Sequence, residues 1–235
     1  MTWMGCMLGV VDQFVLCVNG CSRAVSGSMG GKPMRIVSAA FVALLAMGGA
    51  AAADSDPAVS AAFEGWSLPV PSAGGLVFCH GYNCNFRTEV GLSGADRARL
   101  AGLMAPGRAS PEAERRAIAQ TEAWFEKRVA PQTGTAHAKA RASVGWGLGG
   151  DPGQFDCIDT TANTTSLLVV LDRLGLLRHH RVSTPISRLL RGGGPHFTAT
   201  IEEKRSGKRW TVDPWTHDNG QLPDVFPVER WAAGG

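Results

Sequence analysis

Three residues of the sequence carry side chains that could act together as a nucleophile and its base: Cys157, His196 and Asp213. Cys157 follows a glycine-rich stretch and precedes an apolar block, which places it at the start of a helix. Unpaired N–H groups and the helix dipole stabilise a thiolate there, so a lowered thiol pKa and a nucleophile near neutral pH are expected. A nucleophilic thiol also needs a base, and the base needs an acceptor that orients it.

A β-hairpin is predicted to bring the base and its acceptor together. His196 opens the first predicted strand, 196–203, and Asp213 follows the second, 209–212, across a turn at 204–208. Because an antiparallel hairpin returns the chain beside its start, the residues at its open ends become neighbours. We therefore expect Asp213 to hold the imidazole of His196 while the ring faces Cys157.

The helix that carries Cys157 is predicted to be long and buried. Asp156 is a candidate N-cap, Gly175 a stop signal, and the residues between them include an apolar block but no helix breaker. The other predicted elements are helices over 94–104 and 111–129 and strands over 76–78, 86–92 and 179–186, after an irregular lead-in at 54–75. Helices followed by an antiparallel sheet predict an α+β fold.

The N-terminal residues have the three parts of a secretory signal. Lys32 and Arg35 precede an apolar run at 36–47, and three alanines at 51–53 form a small-residue cleavage site. At about a dozen residues the run is shorter than the roughly 20 that span a bilayer, so no stable membrane anchor is expected after cleavage. Residues 1–53 are therefore interpreted as an over-extended start plus a signal peptide. The remaining residues, 54–235, are predicted to form one exported domain, periplasmic or secreted.

Composition excludes several classes of protein. Apolar residues make up 44% of the 235 residues, which is typical of a globular core and not of a disordered chain. The net charge of +3 is small and evenly spread, which argues against a nucleic-acid partner.

Three cysteines remain after the predicted cleavage, so at least one has no partner within the chain. Cys79 and Cys84 flank a short loop between two predicted strands, and a disulfide between them would fix the local geometry. Two free thiols, a metal site that includes His80, or thiol redox chemistry are the alternatives. Cys157 is then the unpaired thiol.

Other polar and aromatic residues have less specific interpretations. His179 and His180 are neighbours on a predicted strand, which sends them to opposite faces and makes a surface pair the expectation rather than a shared metal. Trp210, Trp215 and Trp231 are expected to pack around the sheet, with a substrate-stacking platform as the alternative.

Three short motifs resemble those of the transglutaminase-like cysteine protease superfamily. They are Asp156-Cys157-Ile158-Asp159, Pro195-His196-Phe197-Thr198-Ala199 and Trp210-Thr211-Val212-Asp213-Pro214-Trp215, within about 153–215. In that family a cysteine begins a buried helix, a histidine begins a strand, and an Asp or Asn ends the next strand. The chain departs from the common bacterial pattern at Ile158 and at Thr160.

The resemblance implies a papain-like α+β core in which the helix carrying Cys157 packs on an antiparallel sheet. It also implies hydrolysis or acyl transfer at an amide through a thioester, without a metal or an organic cofactor. Asp159 matches the family pattern and is expected to anchor the first helical turn or a neighbouring basic group. The N–H of Cys157 is a candidate oxyanion donor, with Gln154 and Trp146 as further contributors.

Two function classes therefore follow from the sequence. The first is an exported cysteine-dependent hydrolase or acyltransferase with a peptide, protein or cell-wall amide as substrate. The second is an envelope domain that keeps the fold without catalysis and binds a peptide or a cell-wall component.

Overall fold

Five α-helices and five β-strands make up the described part of the chain. The computed structural model describes residues 56–143, 150–191 and 194–234. In chain order the elements are α1 (Pro57–Gly65), β1 (Gly75–His80), β2 (Phe86–Gly91), α2 (Gly94–Met104), α3 (Pro111–Thr133), α4 (Cys157–Arg173), β3 (His180–Leu189), β4 (Pro195–Glu203), β5 (Arg209–Val212) and α5 (Val228–Ala232). The strands form two small antiparallel sheets, β1-β2 and β3-β4-β5. The predicted α+β class is confirmed.

Helix α4 is buried at the centre of the core, as predicted. All residues from Asp159 to Leu171 are buried, and the helix contacts both β1 and β4. The side chains of Asp156 and Asp159 form a reciprocal capping box at its start. At its end Gly175 takes a φ of 67°, a left-handed conformation that stops the helix.

The three-stranded sheet aligns the residues at the open end of the β4–β5 hairpin. Ala199 pairs with Val212, so His196 and Asp213 both lie just beyond the paired region. Strand β3 runs to Leu189, past the predicted end at 186, because a shift in register between Ser183 and Ile186 accommodates Pro185. A proline cannot donate to a ladder and is tolerated at such an irregularity.

Helix α3 is longer than predicted. The expected end at Val129, before Pro131, is wrong, because the helix continues to Thr133. A proline in the last turn removes only one intrahelical hydrogen bond, and Thr133 is buried in that turn. Gly134 then ends the helix with a φ of 71°, and its N–H donates to Ala130 O.

The predicted irregular lead-in contains a helix instead. In α1 the Asp56 side chain accepts from Ala58 N, Pro57 occupies the first turn, and Val59 and Phe63 are buried. The sequence signal is weak because the nine-residue helix depends on packing against β3 for its apolar contacts. Within the described ranges, no helix combines the length and the apolar character needed to cross a bilayer.

Two carboxyl groups lie in the core between α3 and its neighbours. Glu122 and Glu126 are 2% and 5% exposed. Glu122 accepts from the Thr164 hydroxyl of α4 at 2.8 Å, and Glu126 accepts from the Gly220 N–H at 2.5 Å. Burial raises the pKa of Glu122 to about 7, and burial together with the Glu122 charge raises the pKa of Glu126 well above its ordinary value. At least one of the two therefore keeps its proton at neutral pH.

Raising the pH is expected to destabilise the fold through this pair. In the unfolded chain a glutamate ionises near pH ~4.3, whereas Glu122 keeps its proton to about pH 7 when folded. The stabilisation is therefore complete below about pH 4 and is lost as the pH rises through 7, with each tenfold difference in proton affinity worth about 1.4 kcal/mol. Urea unfolding at pH 5 and pH 8 measures this change.

The matched variant is Glu126→Gln, which keeps an acceptor for the Gly220 N–H but cannot ionise. It should reduce the pH dependence by the contribution of Glu126 while that of Glu122 remains, whereas Glu89→Gln on the exposed face of β2 should leave it unchanged. If the stability of the wild type and of Glu126→Gln depended equally on pH, Glu126 would not contribute to the pH dependence.

Candidate active site

Cys157 lies at the first position of α4, beside the start of β4. Its thiol is partly exposed and donates to Pro195 O at 3.8 Å. The backbone N–H of Phe197 is close enough to this sulfur to lower its pKa. Pro195 and Phe197 flank His196 in the chain, so the thiol lies against the backbone segment that carries the histidine.

The thiol is not the pre-formed thiolate that the helix start predicts. Burial raises the pKa of Cys157 to about 11, and the charges of Asp156 and Asp213 add to the increase. The N–H groups of Phe197 and Cys157 lower it by less. The prediction is wrong chiefly because burial disfavours the charged thiolate, and Asp156, which accepts from the N–H groups of Ile158 and Asp159, adds a negative charge at the helix start.

His196 and Asp213 form the buried pair that the hairpin predicts. The imidazole Nε2 lies 2.7 Å from Asp213 Oδ2, and both residues are at most 1% exposed. Because a carboxylate accepts, Nε2 carries the proton and the lone pair of the neutral ring is on Nδ1. His196 Nδ1 is buried and has no hydrogen-bond partner among the described residues. In the neutral ring this nitrogen would have a lone pair that no described group occupies.

Two tryptophans enclose the imidazole. The ring of Trp215 lies 4.4 Å from the ring of His196 between centroids, and the ring of Trp231 lies 5.3 Å from it. Both tryptophans are buried, which confirms the prediction that they pack inside the protein rather than form an open stacking platform. Trp210 stacks instead under the Arg115 guanidinium, whose Cζ lies 3.7 Å from its ring centroid.

Trp231 also binds the orienting carboxylate, a role that the sequence analysis missed. Its Nε1 donates to Asp213 Oδ2 at 2.8 Å. Arg188 lies over the outer face of the indole at 4.5 Å and donates to Trp231 O. No sequence signal marks this contact, since Trp231 comes from the short C-terminal helix and reaches Asp213 only through the fold.

The structure brings two of the three predicted residues into direct contact. His196 and Asp213 are hydrogen-bonded, and Cys157 reaches the strand residues on either side of His196. Within the described residues, the thiol and His196 Nδ1 form no hydrogen bond with each other. Proton transfer from the thiol to the imidazole would thus require the S–H group to turn from Pro195 O to Nδ1.

The supporting residues lie around the helix start. Asp159 is fully buried and accepts from the N–H groups of Tyr82, Cys84 and Asp156 at 2.8, 2.7 and 3.1 Å, so it anchors the first turn as predicted and binds a neighbouring loop as well. Gln154 is buried, and its Oε1 atom accepts from Lys139 N at 2.9 Å. Trp146 lies outside the described residues, as does the predicted signal peptide.

Cys79 and Cys84 are joined by a disulfide, which confirms the predicted pairing over the alternatives of free thiols or a metal site. His80 is not directed at the sulfurs as a ligand, because its Nδ1 donates to Pro152 O at 2.6 Å and its Nε2 lies 3.0 Å from the Thr88 hydroxyl. Asp159 has a carboxylate oxygen within 4.8 Å of both sulfurs. In the disulfide form neither sulfur is a thiolate that could bind a metal.

The prediction that His179 and His180 form a surface pair is wrong for His180. His180 is fully buried, and its Nδ1 lies 2.7 Å from Glu114 Oε2. The same carboxylate accepts from the N–H groups of both histidines. The two rings do face different surroundings, as the strand geometry predicts, since His179 Nε2 donates instead to Arg108 O at 3.1 Å.

Comparison with known proteins gives no family assignment: no family model matches the chain, and no curated protein or solved structure is significantly similar to it.

Proposed function

We propose that this protein is a cysteine-dependent hydrolase or acyltransferase that attacks a peptide or amide bond, with a papain-like core of the transglutaminase-like kind. The observation that carries the proposal is the buried His196–Asp213 pair. The His196 Nδ1 atom has no partner among the described residues, and the backbone next to His196 in the chain contacts the Cys157 thiol. A buried histidine nitrogen without a partner is costly, and such atoms are typical of sites that bind or transfer a proton.

His196 supplies the general base in this mechanism. Since the thiol pKa is about 11, only a small fraction ionises unaided at pH 7, so the proton must move as the sulfur attacks. Nδ1 accepts that proton, and the positive imidazolium is stabilised by the carboxylate of Asp213. Trp231 supports this step because its N–H fixes the same carboxylate oxygen.

Acyl transfer then follows in two steps, the formation of a thioester and its cleavage. The Cys157 sulfur bonds to the amide carbon, and the negative oxygen is received by donors such as the Cys157 N–H. His196 returns its proton to the departing amine, which leaves a thioester on the sulfur. Water, or a second amine in a transfer, then attacks the thioester carbon while His196 accepts its proton. The carbon–sulfur bond breaks, and the proton passes from His196 to the Cys157 sulfur.

The proposed setting is outside the cytoplasm, with a peptide, protein or cell-wall amide as substrate. The disulfide supports this part of the proposal, because disulfides persist mainly in oxidising compartments. The signal-like pattern within 30–53 supports the same location.

Alkylation of Cys157 by iodoacetamide tests the proposal without a known substrate. We expect the rate at pH 7 to fall by about 100-fold in His196→Ala, because the general base is lost. In that variant the rate should instead follow thiolate formation and rise about tenfold per pH unit toward the thiol pKa. Mass spectrometry of the peptide that contains Cys157 separates it from the other cysteines.

His179→Ala is the matched control, since it removes a histidine whose side chain bonds a distant backbone carbonyl. Its alkylation rate should equal that of the wild type at every pH. The proposal is overturned if His196→Ala and the wild type react equally and both depend only on the thiol's own ionisation.

One observation favours the second candidate, a non-catalytic binding domain of the envelope. The raised thiol pKa and the contact between the thiol and Pro195 O describe a cysteine that is stable as a thiol. Alkylation independent of His196 is the result expected for that function.

A further inference from the structure

The loop closed by the disulfide has an unusual backbone. We name residues 79–84 the clasp. Gly81, Tyr82, Asn83 and Cys84 have φ values of 77°, 67°, 52° and 55°, so four consecutive residues are left-handed. For a residue other than glycine this conformation is unfavourable, and a run of three such residues persists only if its surroundings hold it.

Two carboxylates of α4 hold the left-handed turn. The N–H groups of Tyr82 and Cys84 donate to the two oxygens of Asp159 at 2.8 and 2.7 Å. The N–H of Asn83 donates to Asp156 Oδ2 at 2.8 Å. Asp156 and Asp159 are the capping-box residues on either side of Cys157. The turn and the helix start therefore stabilise each other.

The other residues of the clasp form hydrogen bonds to α4 and to the residues just before it. The Asn163 side chain donates to Cys79 O at 2.8 Å and accepts from Cys79 N at 2.7 Å. Gly81 N donates to Gln154 O at 2.8 Å. These contacts, with that of His80 to Pro152 O, cover residues 152–163, and Cys157 lies near the middle of that range.

We propose that the clasp is a redox-sensitive positioning element for Cys157, a proposal that rests on the function proposed above. With the disulfide closed, the left-handed turn presents its N–H groups to Asp156 and Asp159 and fixes the first turn of α4. With the disulfide reduced, the turn relaxes toward right-handed conformations and those N–H groups withdraw. The helix start then loosens, and Cys157 loses its place beside His196.

The redox step is a thiol–disulfide exchange with a dithiol reductant. One thiolate of the reductant attacks a sulfur of the clasp, and its second thiol resolves the mixed disulfide. The reductant is oxidised to its own disulfide, and two electrons and two protons pass to Cys79 and Cys84. Both cysteines are buried, so the exchange requires an opening at the exposed side of the loop, at Asn83 and Asn85.

A pair of variants separates the disulfide from the backbone conformation. Cys79→Ala/Cys84→Ala removes the disulfide and keeps the cost of a Cβ atom at a left-handed position. Cys79→Ala/Cys84→Gly removes the disulfide and that cost together. We expect alkylation of Cys157 at pH 7 to be about tenfold slower in the first variant, with a pH profile closer to that of His196→Ala. The second variant should recover most of the wild-type rate.

Amide hydrogen exchange of the wild type provides a readout that does not depend on catalysis. After reduction with dithiothreitol, the amides at 158–160 should exchange at least about tenfold faster than in the oxidised protein, while those at 168–171 remain protected. This measurement also decides the matter if the alanine variant does not fold.

Two results would overturn the inference. One is unchanged exchange at 158–160 after the disulfide is shown to be reduced. The other is a wild-type alkylation rate and pH profile in both disulfide-free variants. A wild type whose alkylation does not depend on His196 would instead remove the proposed function, and the exchange data would still report whether the clasp holds the helix start.

Discussion

Replacing Cys157 with alanine is expected to lower the rate of amide hydrolysis by about four orders of magnitude. Without the sulfur no thioester can form, and the remaining donors supply only binding and polarisation of the carbonyl. Incubation with a peptide library, followed by mass spectrometry of newly formed N-termini, measures this loss. His196→Ala should cause a loss of similar size, because residues that act as a unit are not additive.

Ile158→Val is the control for the cysteine variant, since it alters the next residue of the same helical turn without touching the sulfur, the imidazole or the capping carboxylates. Its rate should stay within about twofold of the wild type, as for a small volume change. Cleavage that persists in Cys157→Ala at the wild-type rate would place the chemistry elsewhere. Binding without any cleavage by the wild type would favour the non-catalytic envelope domain.

Replacing Asp159 with alanine is expected to lower the free energy of unfolding by about 3–5 kcal/mol. The change leaves three N–H groups, from Tyr82, Cys84 and Asp156, without their acceptor, and each buried unpaired donor costs about 1–3 kcal/mol. A loss of this size is a large part of the roughly 5–15 kcal/mol that stabilises a typical domain. Urea unfolding followed by circular dichroism measures it.

The difference in stability between the wild type and Asp159→Ala depends on the pH. Burial raises the pKa of Asp159 to about 7, so its carboxyl group ionises in the folded protein only near neutrality. Its stabilisation is therefore largest at low pH and declines as the pH rises through 7. The alanine variant should accordingly show a weaker dependence of stability on pH between 5 and 8 than the wild type.

Glu89→Ala serves as the control for Asp159, because it removes an exposed carboxylate from the neighbouring strand β2. Its stability should stay within about 0.5 kcal/mol of the wild type. Asp159→Asn should be intermediate, since one amide oxygen can still accept while the amide nitrogen opposes an N–H donor. An alanine variant as stable as the wild type would show that the clasp does not depend on Asp159.

Local sequence signals predicted the elements that carry the candidate site. Asp156 and Gly175 mark the two ends of α4, and both act as expected because capping and left-handed termination depend on neighbouring residues alone. The β4–β5 hairpin follows from strand-forming runs on either side of a polar turn. Its pairing then places His196 next to Asp213, which is a direct consequence of antiparallel geometry.

The errors have a common physical cause, since each depends on a partner far away in the sequence. Helix α1 has a local start signal in Asp56 and Pro57, but its nine residues are too few for a stable isolated helix, and it packs against β3. His180 is buried because Glu114 of α3 accepts from its ring and its N–H. Helix α3 passes Pro131 because its last turn is packed in the core.

The sequence by itself determined which residues could form a nucleophile, a base and an orienting acid, and on which elements they lie, because caps, strand alternation and turns are local. Only the tertiary structure decided the pKa of the thiol and the surroundings of the imidazole. Burial and nearby carboxylates raise the thiol pKa of Cys157 to about 11, and Trp215 and Trp231 enclose His196. The left-handed clasp likewise exists only because Asp156 and Asp159 accept its N–H groups. Desolvation and long-range hydrogen bonds arise only when distant segments pack together.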